Sequence, residues 1–123
     1  MVNKDTFLNR RKGFAVSVFK IVDRFPKSKA SDVVSYQLLK SSSSVAANHR
    51  ASYRAKSKPD FINKIKIAAE EVDESLFWLE FTKEVDILKN DKDLEALLKE
   101  ANELTAIFTA SLKTAKQNSF LTS

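Results

Sequence analysis

The chain has 123 residues, 43% hydrophobic and 30% charged, with a net charge of +5, as expected of one folded domain long enough to bury a single core. It contains no cysteine, which excludes disulfides and thiolate metal sites. One glycine and two prolines leave little material for turns and hairpins, so an all-α chain is expected. No apolar run approaches the roughly 18 residues of a membrane span, and residues 1–13 lack the apolar core of a signal peptide; the cytoplasm is the expected compartment.

Helix 1 is predicted over about residues 6–25. Phe14, Val18, Ile21, Val22 and Phe25 fall on one helical face, and Pro26 stops the helix. Gly13 sits inside this pattern at some cost, which points to a firm start only after it.

Helix 2 is predicted over about 31–54. Val34, Leu38, Ser41, Val45, Asn48 and Ser52 share one side, and Ser42, Ala46 and His49 share the adjoining one. Together they span more than the single stripe one packed face needs. Lys40, Arg50 and Arg54 lie opposite. The serine run 41–44 resembles a linker by composition, but the period continues in phase through it. Small residues there let a neighbouring helix approach closely.

Helix 3 is predicted over about 58–88, opening on Ser57-Lys58-Pro59-Asp60, a capping-box-like start with proline early, where its missing N–H costs nothing. Phe61, Ile65, Ala68, Val72, Leu76 and Leu79 form one face. Ile67, Phe77, Trp78, Phe81 and Val85 form a second stripe. A helix apolar on two sides must bury both, so the second stripe, with Asn48 of helix 2, is the candidate oligomer interface. Helix 4 is predicted over about 91–116, capped by Asn90 with Asp93 three residues on. Residues 117–123 carry no strong signal and are expected to fray. The short connections imply an antiparallel, up-down-up-down four-helix bundle.

Charge is distributed unevenly. Residues 1–29 hold 8 Lys/Arg and 2 Asp/Glu, whereas residues 67–103 hold 4 and 12. This asymmetry fits either a polyanion-binding surface or attraction between basic and acidic helices, within or between subunits. A carboxylate-bridged di-iron site needs Glu-x-x-His twice, and the chain has one histidine, with Ala46 where the glutamate would stand. Glu70, Glu71, Asp73 and Glu74 form an acidic cluster that leaves only a hard-cation site open. Neither a nucleophilic triad nor a Gly-rich phosphate loop can be assembled, so the chain reads as a non-enzyme without cofactor or metal. His49 reads as a helix-surface or interface residue, Asn48 as a buried amide fixing register or oligomeric state, and Trp78 as a packing anchor.

Between Tyr36 and Glu80 the chain resembles one family closely. The residues that carry the resemblance are Gln37-Leu38-Leu39-Lys40-Ser41, Ser44-Val45-Ala46-Ala47-Asn48, Arg50, Arg54-Ala55-Lys56-Ser57 and Asp60-Phe61-Ile62. Lys64, Glu70-Glu71, Asp73-Glu74 and Trp78-Leu79-Glu80 complete the set. They resemble the 23S rRNA-intervening-sequence proteins, small bacterial four-helix bundles, and more distantly the accessory variability proteins of retroelements. Some members carry a glutamate where this chain has Ala51. The resemblance implies a ring-like homopentamer, and by analogy a role with nucleic acid. The candidate nucleic-acid contacts are Arg10, Arg11, Lys12 and Lys20 on helix 1 and Lys40, Arg50 and Arg54 on helix 2, chiefly to phosphate. The alternative is a protein-interaction scaffold without nucleic-acid affinity, in which charge asymmetry sets subunit pairing.

Overall fold

The computed structural model describes the backbone of residues 4–122 and the side chains of residues 9–117. It consists of four helices, α1 (Lys4–Val22), α2 (Lys29–Ser52), α3 (Lys58–Glu84) and α4 (Lys92–Thr122), with no strand among the described residues. Neighbours in sequence pack on each other, α2 on α3 most extensively, and α1 also touches α4.

The core is the set of stripes expected from periodicity. Phe14, Val18 and Ile21 of α1 meet Val34, Leu38 and Val45 of α2, Ile65, Val72 and Leu79 of α3, and Leu94, Leu104 and Phe108 of α4. Each large side chain buried here contributes about 1.5–3 kcal/mol. The serine run is helical and packed. Ser41 and Ser42 are buried, and Ser75 Oγ of α3 donates to Ser41 Oγ at 2.8 Å, so two small side chains bring these helices close.

Helix ends differ from expectation for local reasons. α1 runs unbroken through Gly13 and stops at Val22, three residues early. Pro26 disfavours a helical Phe25, and the turn closes instead through i−3 bonds, Arg24 N–H to Ile21 O and Phe25 N–H to Val22 O, both 3.0 Å. Phe25 still packs on the core from outside the helix. α2 is capped by the Ser28 side chain, which accepts the Ser31 N–H at 3.0 Å. α3 begins as expected: Ser57 Oγ accepts the Asp60 N–H at 3.2 Å and the Asp60 carboxylate accepts the Lys56 N–H at 3.1 Å.

The end of α3 is a correction. Apolar residues continue to Leu88, but the helix stops at Glu84 because Asp86 turns left-handed, φ 60°. The Ile87 N–H then bonds Thr82 O at 3.0 Å and the Asp86 N–H bonds Lys83 O at 3.2 Å. That pair of bonds is a Schellman closure, with aspartate in the position glycine usually fills. The cap of α4 is likewise Asp91, whose Oδ1 accepts the Leu94 N–H at 3.0 Å. Asn90, the expected cap, has φ 48° and belongs to the left-handed turn before it. α4 continues to Thr122, past the expected end at Lys116; Ser123 lies outside the described residues.

Candidate functional site

The seven candidate cations meet different fates. Arg11 is 2% exposed: it sits on the inner face of α1, its guanidinium carbon 4.7 Å from the centroid of the Phe108 ring. It is therefore not an outer-face contact. The reason is periodic, since residues 11, 14, 18 and 21 lie on one stripe. Arg10 is engaged as well: it donates to Glu100 at 2.8 and 2.6 Å and to Glu103 at 2.7 Å. Arg24 pairs with Asp91 and Asp93, and Lys83 with Glu95 at 2.7 Å. Part of the charge asymmetry is thus consumed inside the subunit, as basic α1 is strapped to acidic α4. Lys12, Lys20, Lys40, Arg50 and Arg54 remain exposed and form no ion pair among the described residues.

Two surface depressions collect most of these cations. At the elbow between α2 and α3, a cleft of about 570 Å³ is floored by Ala47 and Ala51 and ringed by Arg50, Arg54, Lys56 and Lys64. Its one carboxylate, Asp60, stands 4.0 Å from Lys64. Alanines on α2 leave the floor low, and the turn from Tyr53 to Ser57 swings Lys56 over it. The second depression is a groove of about 800 Å³ between α1 and α2. Val16 and Phe19 of α1 and Leu39 and Ala46 of α2 make it apolar, and Lys12, Lys20, Arg50 and one carboxylate, Asp23, rim it. Arg50 lines both depressions.

The candidate interface residues divide. Trp78 and Phe81 are half-buried against the core of their own subunit, which accounts for part of the second stripe without a partner. Phe77 is 53% and Val85 42% exposed. Phe77 meets Trp78 edge-on at 4.9 Å and stacks on Phe81 at 6.0 Å. Ile67 is half-buried. Asn48 is also half-buried, and its amide is spent within its own helix, on Ser44 O and Ser44 Oγ, both at 3.0 Å.

His49 lies in the core at 5% exposure and not on the helix surface. It meets Phe108 edge-on at 5.3 Å, and its Nε2 is 3.3 Å from the Tyr53 hydroxyl. Burial, followed by the nearby Arg11 charge, pushes its pKa down to about 4. Burial and the Arg10 charge lower Arg11 to about 10. Within the acidic cluster of α3, Glu71 is raised, first by burial and then by Glu74, against a Ser44 hydrogen bond and the Lys40 charge that lower it. No group of three or more His, Cys, Asp or Glu among the described residues is placed to hold a metal. No described helix is long and apolar enough to cross a membrane.

The architecture recurs in a solved structure, a protein of unknown function from the S23 ribosomal protein family of Bacteroides thetaiotaomicron. The two are 27% identical with a TM-score of 0.78, over 86% of this chain and 97% of that one. No curated protein matches the sequence. The family described as 23S rRNA-intervening sequence protein matches over residues 5–110, nearly the whole helical region. With four helices in the same arrangement and that span of sequence matched, the chain belongs to the 23S rRNA-intervening sequence protein family.

Proposed function

We propose that this protein is a non-enzymatic, homo-oligomeric bundle of the cytoplasm that binds nucleic-acid backbone at the α2–α3 cleft. The observation that carries the reading is the convergence of Arg50, Arg54, Lys56 and Lys64 on a shallow floor of alanines. Such a surface suits phosphates, which need several cations at close range and little depth. The N-terminus of α3 opens beside it and adds its positive end. Lys40 extends the charge along α2. None of the described residues lining the cleft is aromatic, so no base is stacked there and binding to backbone, independent of sequence, is expected. Arg10 and Arg11 take no part in it.

The up-down-up-down order belongs to this proposal. Its support is that Arg10 in α1 and Arg24 in the turn after it pair with Glu100 in α4 and Asp91 at its cap, in reversed order. A ring-like assembly of five subunits follows from the family resemblance.

Binding to labelled single-stranded RNA and duplex DNA across a salt series tests the function. Submicromolar affinity that falls steeply with salt is expected, and Arg54→Glu with Lys56→Glu, both in the cleft and outside the α1–α2 groove, should abolish most of it while leaving the oligomer intact. Absence of binding at low salt would favour the second reading, a protein-interaction scaffold. That reading draws on the α1–α2 groove, whose apolar floor is of no use to a phosphate.

A further inference from the structure

The α1–α2 groove is an apolar channel between two helices. Its walls are two helical stripes, and they leave Phe19 44% and Val16 43% exposed. Lys12, Lys20 and Arg50 stand along its edges against one carboxylate, Asp23, and none of the three cations forms an ion pair among the described residues. The fitting occupant is therefore an amphipathic helix with an aromatic centre and acidic flanks. A ligand with only one of those properties would leave either the floor wet or the rim uncompensated.

Such a helix exists on the outer face of the same fold. Glu70, Asp73, Phe77, Glu80 and Glu84 follow one another at steps of three and four residues on α3, and all five are exposed. The stripe is acidic at both ends and aromatic at its midpoint. Phe77 is held upright by its contacts with Trp78 and Phe81, so little side-chain freedom is lost on docking. The four carboxylates make no ion pair among the described residues. This ridge cannot reach the groove of its own subunit, because it faces away from the core on which α1 and α2 pack.

We infer that the α1–α2 groove of one copy receives the α3 ridge of a second copy, with Phe77 seated against Val16 and Phe19. The ridge carboxylates then face Lys12, Lys20 and Arg50. The inference rests on the homo-oligomeric part of the proposed function and names the two surfaces that mate. They are different surfaces, so the contact is head-to-tail; repeated around an axis it closes a ring, whereas a self-complementary patch would stop at a dimer.

Two single variants and their mixture test the pairing, with mass read by light scattering and folding by circular dichroism. Phe19→Asp spoils the groove, and Phe77→Asp spoils the ridge; both positions are substantially exposed, so the bundle should survive. Wild type should form an oligomer and each variant alone should fall to the 13.9 kDa subunit. Mixed in equal amounts at high concentration, they should give a 1:1 species, because one intact groove and one intact ridge remain. A wild type that is monomeric throughout would refute the homo-oligomer reading itself. An oligomeric wild type whose mass survives both substitutions would refute only this pairing. Loss with Phe19→Asp alone would overturn it in favour of another occupant of the groove. Monomeric variants that do not combine would show that the two surfaces are not mates.

Discussion

The Arg11 guanidinium lies over the face of Phe108, 4.7 Å from its centroid, and His49 meets the same ring edge-on at 5.3 Å. A second cation beside the first is unfavourable in this buried site, and burial alone already disfavours the imidazolium. His49 therefore titrates near 4 in the folded protein against an ordinary 6.5. Between those values the unfolded chain binds the extra proton, so stability rises with pH. The contribution is complete above pH 6.5 and is lost as pH falls toward 4, to the extent of up to about 3 kcal/mol. As the chain's one histidine, His49 gives a single imidazole ring whose proton resonances can be followed without overlap from another. Arg11→Met should raise its pKa by removing the neighbouring charge; a titration that does not move would separate the two residues.

Gly13 lies inside α1 with nothing within 4 Å of where a Cβ would stand. Glycine there costs backbone entropy without serving a turn or a close approach. Gly13→Ala should stabilise the protein by about 0.5–1 kcal/mol, measurable as a higher urea midpoint with an unchanged slope.

Ser42 is fully buried and its hydroxyl has no hydrogen-bond partner among the described residues. Ser41 beside it is bonded to Ser75. Ser42→Ala should raise stability by about 1 kcal/mol, because it removes a desolvated hydroxyl. Ser41→Leu should lower it by about 1–3 kcal/mol by forcing α2 away from α3. Thermal melts of the two variants should therefore move in opposite directions.

Arg10 and Arg54 separate stability from binding. Arg10→Ala removes two carboxylate partners on α4 and should cost about 1–2 kcal/mol, less than a buried charged bond because the group is partly exposed. Arg10 holds Glu100 below its ordinary 4.5. That stabilisation is present above pH 4.5 and is lost as pH falls through the lowered value. Arg54→Glu, exposed in the cleft and outside the α1–α2 groove, should leave the melting temperature nearly unchanged and reduce polyanion affinity. Arg10→Ala weakening that affinity as strongly would place α1 back in the binding surface.

Much of the core was legible from spacing, because burial imposes a period that composition cannot hide. Phe14, Val18, Ile21, Val72 and Leu79 all lie where their stripes put them. The same period carried signals that residue type concealed. Arg11 continues the stripe of Phe14, Val18 and Ile21, and His49 falls in step with Ser42, Val45 and Ser52; both are polar residues on an inner face. Treating every arginine as surface charge assigned Arg11 to the wrong side of its helix. The end of α3 was illegible for a different reason. A left-handed aspartate at position 86 leaves no mark in hydrophobicity, and the apolar Ile87 and Leu88 that follow it mimic continued helix. The clefts were hidden too, since Lys56 and Lys64 join Arg50 and Arg54 only once the elbow between α2 and α3 is folded.

Arg50 borders both the α1–α2 groove and the α2–α3 cleft. One guanidinium cannot hold a carboxylate of a docked copy and a phosphate of a bound strand in full at the same moment. Under the two proposals, assembly and strand binding compete for it, and reciprocity requires each to weaken the other by the same factor. A strand would then loosen the ring it binds, and dilution of the ring would sharpen its hold on the strand.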